Sequence, residues 1–294
     1  MQKIAHEVLL SRAGRWASAE PRPFLRWAGS KRALLAHIVP LLPRGFATYR
    51  EPFLGSGALF FLLQPTRAVL SDACSELVQT FSAVRDNVSA VAGHLRPLAP
   101  DPDTFRRFRA RRSRGRLRRA AEFIYLNKTC WNGLYRVNLN GEFNVPYGRP
   151  KSDGIVDFSN LRACAAALGK KGIKLWNCDF APALERTQKG DLVYLDPPYV
   201  TRHNNNGFVE YNEVLFSWAD QKRLAELARQ LADSGASVII TNADHHEIVE
   251  LYSGFTIVRF NRKSTIASSA GARGKVSEMI AYRIAPPVPM RRNS

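Results

Sequence analysis

Apolar residues recur along the chain with two periods, and their alternation predicts the architecture. Two short β-prone runs, ATYREPF at 47–53 and RAVLSD at 67–72, are each followed by a helical pattern, GALFFLL and then SELVQTFSAVRDN. This is the βαβα opening of an α/β domain. From about Val88 to Asn127 the period is helical throughout, arginine is frequent and no strand signal occurs. The next stretch, WNGLYRVNLNGEFNVPYG at 131–148, alternates polar and apolar residues around Asn140-Gly141, the dipeptide of a tight hairpin turn. Strand and helix resume with GIKLWNCDF (172–180), DLVYLDPPY, SWADQKRLAELARQLADSG (217–235) and ASVIITNAD (236–244). The helical HEIVELYS and two further strands, FTIVRF and SEMIAYRI, complete the set. The pattern predicts a doubly wound α/β sheet, interrupted between residues 80 and 165 by a helical insert that ends in a hairpin.

Candidate chemistry gathers where the strands end. Leu192-Val193-Tyr194-Leu195 is continuously apolar, as a strand buried in a parallel sheet should be, and such sheets bind ligands at their C-terminal edge. Asp196 stands at that edge. Pro197 and Pro198 follow; they lack backbone donors and hold φ near −65°, so the chain leaves the sheet stiffly with the Pro197 carbonyl in a fixed direction. With Tyr199 the corner offers two oxygen acceptors and a ring; a plain strand-to-loop turn is the competing reading. EPFLGSG (51–57) ends the first strand with Gly55 and Gly57, which would let a ligand approach backbone amides. It lacks the third glycine of a dinucleotide fingerprint and is weak alone. Asp72 ends the second strand, suited either to ribose hydroxyls or to capping the next helix. Asp179 ends the third, where it could take an adenine amino group, with Phe180 beside it.

Composition narrows the partners. The 294 residues hold 43 Lys and Arg against 25 Asp and Glu, a net charge of +18, which favours a polyanion. Nine of the basic residues lie in RRFRARRSRGRLRR (106–119), readable as a phosphate-tracking surface or as a solvated helix face. Cys74, Cys130, Cys164 and Cys178 form no CxxC pair and no zinc spacing, so reduced thiols and no metal are expected. No apolar run is long enough to cross a bilayer and the N-terminus lacks a signal-peptide core, which predicts a cytoplasmic protein with no membrane partner.

Taken in order, these segments resemble the Dam-like, alpha-group N6-adenine DNA methyltransferases over roughly residues 23–283. FLRWAGSKRAL (24–34) resembles that family's N-terminal S-adenosylmethionine motif, EPFLGSG its glycine motif and LSD its ribose acid; YLNKTCWNGLYRVNLNGEFNVPYG resembles its target-recognition hairpin, before LDPPY. The resemblance implies a Rossmann-like class I methyltransferase sheet. It divides the chain into a leader of marginal structure (1–22), a catalytic domain (23–80 and 165–285), a target-recognition insert (81–164) and a tail (286–294). It implies S-adenosyl-L-methionine as cofactor, contacted by Trp27, Lys31, Glu51, Phe53, Gly55, Gly57, Asp72, Asp179, Phe180 and Asp196, with Lys31 on the methionine carboxylate. Asp196, Pro197 and Tyr199 would be catalytic. Duplex DNA would be met by Arg26, Trp131, Asn132, Leu134, Arg136, Asn138 and Arg149, Arg26 and Arg136 being suited to guanine.

The adenine N6 lone pair is delocalised into the ring, so it attacks a methyl group only when its hydrogens are held and the pair is localised. Asp196 and the Pro197 carbonyl can accept those two N–H groups. The reacting atom lies inside a duplex, so the base must flip out into such a corner. GATC is the preferred site, with the leading GA its better-supported part. Large side chains at the hairpin could wedge between bases or pack the hairpin on the insert, Leu134 being open to both. VTRHNNNGFVEYNE (200–213) reads as a mobile lid or a plain surface loop, and the basic residues of 262–278 as phosphate contacts. His203, His245 and His246 are expected at the surface or in structural roles. A monomer is expected, encoded by a bacterium or phage, with a cognate restriction endonuclease as a functional rather than physical partner. Two rival readings are N4-cytosine methylation and an inactive DNA-binding protein of the same fold.

Overall fold

The computed structural model describes residues 2–14, 20–27, 31–138, 140–150, 154–199, 216–263 and 275–286. Its strands are β1 (Gln2–Lys3), β2 (Gly45–Phe46), β3 (Tyr49–Glu51), β4 (Ala68–Asp72), β5 (Ile173–Asn177), β6 (Leu192–Leu195), β7 (Ser237–Ala243), β8 (Thr256–Lys263) and β9 (Lys275–Arg283). Seven of them make one sheet in the order β5-β4-β3-β6-β7-β9-β8. Pairings from β5 through β7 are parallel, whereas β9 runs antiparallel to both β7 and β8. The chain builds outward from β3 to β4 and β5, then returns to lay β6 on the other side of β3. The loops after β3 and β6 therefore diverge at a topological switch point, where open α/β sheets hold their ligands. EPFLGSG and DPPY are those two loops.

The helices are α1 (His6–Gly14), α2 (Leu35–Ile38), α3 (Ala58–Leu63), α4 (Ser75–Leu95), α5 (Pro102–Ala110), α6 (Arg116–Thr129), α7 (Phe158–Leu168), α8 (Phe180–Leu184), α9 (Trp218–Asp233) and α10 (His246–Leu251). Local chemistry sets several boundaries. Asp101 accepts the Thr104 amide at 2.6 Å with Pro102 behind it, starting α5. Ser217 and Asp220 form a reciprocal capping box at the start of α9. All four β6 residues are buried, which accounts for the unbroken apolar run. Beside it lies a buried ion pair: Arg50 Nε meets Asp191 Oδ2 at 2.9 Å, while the same guanidinium donates to the Ala183 and Arg186 carbonyls at 3.3 and 2.5 Å. Asp191 also accepts the Thr48 and Gln188 amides, both at 3.1 Å. This clamp joins β3 to the start of β6, the two strands on which the switch point depends.

Three features differ from the expectations. Residues 2–14 are structured: β1 pairs antiparallel with β2, His6 Nε2 lies 2.9 Å from the Leu42 carbonyl, and Leu9 is buried. The boundaries expected at 80/81 and 164/165 fall inside α4 and α7, and one apolar core runs from Leu70 in the sheet through Phe81 to Phe123 and Leu161. The insert therefore shares a core with the sheet, α4 packing against both α6 and α7. The hairpin is irregular: Cys130 bridges Tyr147 and Val137 bridges Phe143, but no regular strand forms among its described residues. Its turn closes one position earlier than a two-residue Asn140-Gly141 turn, with Gly141 N on the Asn138 carbonyl at 2.9 Å and Gly141 at φ +75°. The glycine supplies the left-handed residue that ends a three-residue loop.

Candidate active site

The end of β6 carries the densest polar network at the switch point. Lys31 Nζ lies 2.7 Å from Asp196 Oδ1, with the two side chains 8% and 19% exposed. Thr241 Oγ1, from the neighbouring β7, donates to the same oxygen at 2.7 Å and lies 3.2 Å from the Tyr194 hydroxyl. Among the described residues no donor reaches Asp196 Oδ2 or the Pro197 carbonyl, whereas the Pro198 carbonyl accepts from Gln221 Nε2 at 3.0 Å. Gln221 is itself held by Asn242 Nδ2 at 3.3 Å. Burial pushes the Asp196 carboxyl up, and Lys31 and Thr241 pull it back toward the ionised form. The Tyr199 ring lies under Lys31, 4.6 Å from Nζ to centroid, and its hydroxyl donates to Glu278 Oε2 at 3.3 Å. Lys31 thus has a structural partner, Asp196, that the sequence did not suggest.

Across the crevice, the glycine loop folds around a carboxylate. Asp72 accepts the Gly55 amide on Oδ2 at 3.0 Å and the Cys74 amide on Oδ1 at 2.9 Å, tying β3's loop to the end of β4. Burial raises its pKa against these two bonds. Gly55 and Gly57 sit at φ +47° and +66°, and a Cβ on Gly55 would come within 2.9 Å of the Trp27 indole. Glu51 is 3% exposed and among the described residues its Oε2 has no hydrogen-bond partner; burial pushes this carboxyl well above the usual range, with Tyr49 pulling it back and the nearby Asp196 adding to the rise. A buried carboxylate oxygen left without a donor beside a glycine loop suits a ligand that brings a cation. Phe53 stacks on Phe180 at 5.6 Å and meets Phe216 edge-on at the same separation. Asp179 caps α8 through the Ala181 amide at 3.0 Å and pairs with Arg223 at 2.9 Å, so both its oxygens have protein partners.

Trp27 joins this crevice to the insert, stacking on Tyr135 of the hairpin with centroids 5.6 Å apart. One position earlier, the Arg26 backbone is held by the buried Asn127 amide, which accepts Arg26 N at 2.8 Å and donates to Arg26 O at 2.6 Å and Gly133 O at 3.2 Å. Gly133, at φ +64°, has no room for a Cβ, which would lie 2.3 Å from Arg26 Cβ. Of the expected DNA-facing residues, Trp131 is 39% exposed and Asn132, at φ +53°, is also exposed. Leu134 is 8% exposed and packs against the core. The Asn138 amide is engaged inside the turn, accepting from Asn140 N and Glu142 N and donating to Glu142 Oε2. Arg136 Nε donates to Asn144 Oδ1 at 2.7 Å, and Arg149 is exposed at φ +49°.

The sequence reading missed Thr241, Gln221, Glu278 and Asn127. Thr241 could have been sought toward the end of β7, which flanks the DPPY strand, but nothing local marks Glu278, Gln221 or Asn127. Lys128, beside Arg26 in a cleft of about 310 Å³, was missed as well; burial lowers its ammonium to about 8. The segment 200–213 and most of 262–278 lie outside the described residues. No described helix is long and apolar enough to cross a membrane.

Comparison with known proteins assigns this arrangement. Residues 27–266 match the family described as D12 class N6 adenine-specific DNA methyltransferase. The chain is 37% identical to the type II methyltransferase M1.LlaDCHI of Lactococcus lactis subsp. cremoris, over 88% of this chain and 94% of that protein. It is 35% identical to the type II methyltransferase M.MjaIII of Methanocaldococcus jannaschii, over 84% and 93%, and 32% identical to the DNA adenine methylase of Escherichia coli, over 88% and 94%. With the match running from Trp27 past both loops of the switch point, the chain belongs to the D12 class of N6 adenine-specific DNA methyltransferases.

Proposed function

We propose that this enzyme moves the methyl group of S-adenosyl-L-methionine to N6 of an adenine flipped out of duplex DNA, within a GA-containing site for which GATC is the preferred sequence. The residues fit the cofactor: the orphaned Glu51 oxygen suits the methionine ammonium, the Gly55–Gly57 turn and Asp72 border the place for the nucleoside, and Phe53 and Phe180 offer apolar faces. When bound, S-adenosylmethionine supplies a methyl carbon made electrophilic by its sulfonium. The protein's part is to prepare the amine. Asp196 Oδ2 and the Pro197 carbonyl accept the two N6 hydrogens, and Tyr199 offers a face to the base. As the N–C bond forms and positive charge grows on N6, the carboxylate interaction strengthens, which favours the transition state over the ground state. The methyl–sulfur bond breaks as the nitrogen–carbon bond forms, leaving S-adenosyl-L-homocysteine, and the N6 proton held at the Asp196 carboxylate is then lost to solvent.

The observation that carries this reading is the asymmetry of Asp196: Oδ1 is taken by Lys31 and Thr241, while Oδ2 and the Pro197 carbonyl have no donor among the described residues. In this reading the sheet and its helices are the catalytic part and the segment between α4 and α7 the recognition part, on one shared core, acting on DNA as a monomer. Two relatives carry type II names, which supports pairing with a restriction endonuclease of the same specificity. The test is transfer of labelled methyl to duplex DNA followed by nucleoside analysis. N6-methyladenine is expected with the native protein and none with Asp196→Ala; N4-methylcytosine, or normal transfer by the variant, would refute the assignment.

A further inference from the structure

Where α5 gives way to α6, the chain encloses a cleft of about 730 Å³ lined by Arg107, Arg111, Arg112, Arg114, Arg118 and Glu122. Its wall is built by a buried carboxylate. Glu122, 2% exposed, accepts Ser113 N at 2.9 Å and Ser113 Oγ at 2.5 Å, and pairs with Arg112 and Arg118 at 3.5 and 3.6 Å. These bonds fix the turn that carries the other arginines. Arg107, Arg111 and Arg114 are exposed and have no carboxylate partner among the described residues. Three cations held in one concavity repel each other, a local conflict that a polyanion would relieve.

Two ties set the cleft against the recognition hairpin. Glu76, which pairs with Arg112 at 3.3 Å and Arg119 at 2.9 Å, also receives the Tyr135 hydroxyl of the hairpin at 3.2 Å. From the end of α5, Arg109 Nε donates to the Phe143 carbonyl at 3.3 Å. We infer that the cleft holds the phosphodiester backbone of duplex DNA flanking the target, extending the hairpin's footprint without reading sequence. This rests on duplex DNA being the substrate. The contact adds affinity and salt dependence on long DNA and leaves the chemistry at Asp196 untouched.

The double variant Arg111→Gln/Arg114→Gln tests it, both positions being exposed and outside the catalytic corner. Binding is measured by anisotropy across a salt series, on a duplex just covering the recognition site and on one extended well beyond it. Loss of two phosphate contacts should lower the slope of log K against log salt by about 1.8 on the long duplex. On the short duplex, the slope and the methylation rate should stay at native values. Arg111→Lys/Arg114→Lys, which keeps the charge, should restore the long-duplex slope. An unchanged slope on the long duplex, or an equal loss on both duplexes, overturns the inference. Failure of the native protein to methylate either duplex would fault the functional reading instead, and the long-duplex slope would still decide the cleft.

Discussion

Replacing Thr241 by valine tests whether the pinned carboxylate matters for the reaction. Thr241 is fully buried, and valine keeps its shape while removing the hydroxyl that donates to Asp196 Oδ1 at 2.7 Å. A hydrogen bond to a charged group contributes about 1.5–3 kcal/mol. If that much is lost from the transition state, kcat falls by about 10- to 160-fold. The affinity for S-adenosylmethionine should hold, because Thr241 faces Asp196 and Tyr194 and not the glycine loop. The pH profile gives a second readout. Burial raises the Asp196 pKa and the Thr241 bond lowers it, so losing that bond lets it climb further. Only the ionised carboxylate can accept both its ordinary donors and the amine, so the acid limb of kcat against pH should move to higher pH. The stability effect has a matching sign: a carboxyl raised in the fold favours the fold most below its unfolded value and loses that contribution as pH rises through the folded one. Thr241→Val should therefore be less stable than the native protein at neutral pH, with the gap closing in acid. Steady-state methylation and urea unfolding over a pH series check these expectations, with Thr241→Ser expected to restore the native limb. A valine variant with native kcat and an unmoved acid limb would sink the reasoning.

Lys31→Met removes the cation that balances Asp196, so it should shift the acid limb upward and cut kcat at least as far; a large loss of cofactor affinity with an unmoved limb would show that Lys31 serves the methionine carboxylate instead. Asp191→Ala leaves the Arg50 guanidinium buried without its counter-ion and should cost about 3–5 kcal/mol by urea unfolding; a loss below about 1 kcal/mol would mean the clamp between β3 and β6 is dispensable. Asn127→Ala removes three hydrogen bonds, one buried and two part-buried, costing about 2–4 kcal/mol. By freeing Arg26 it should also narrow the preference for guanine beside the target, measured as the ratio of kcat/KM on matched and mismatched duplexes; a native ratio would place base reading elsewhere.

The sheet was legible because its strands are short, apolar and bounded by special residues. Leu192–Leu195 is buried on both faces, so no polar position blurs it, and Asp196 and two prolines mark where it stops. The glycine loop was equally plain, since Gly55 and Gly57 occupy a backbone region that other residues rarely adopt. What sequence could not supply was pairing at a distance. Thr241 meets Asp196 across 45 positions and Asn127 meets Arg26 across 101, and neither spacing leaves a local pattern. Leu134 left two readings open because a hydrophobic side chain on a hairpin looks the same whether it serves the core or DNA. The turn was displaced because Asn138 offers its own side chain to Asn140 N and Glu142 N, a local bond that competes with the two-residue geometry. The segment 2–14 was underestimated because its order depends on β2, which is remote in sequence.

The indole of Trp27 bears on how far this scaffold can be re-engineered. It touches Gly55 on one side and stacks on Tyr135 on the other. A chimaera that grafts a foreign recognition loop between Cys130 and Gly148 must bring a flat ring to position 135 and leave position 133 without a side chain. Without them the graft would disturb the glycine-loop crevice as well as the hairpin, and transplanted specificity should come with impaired turnover.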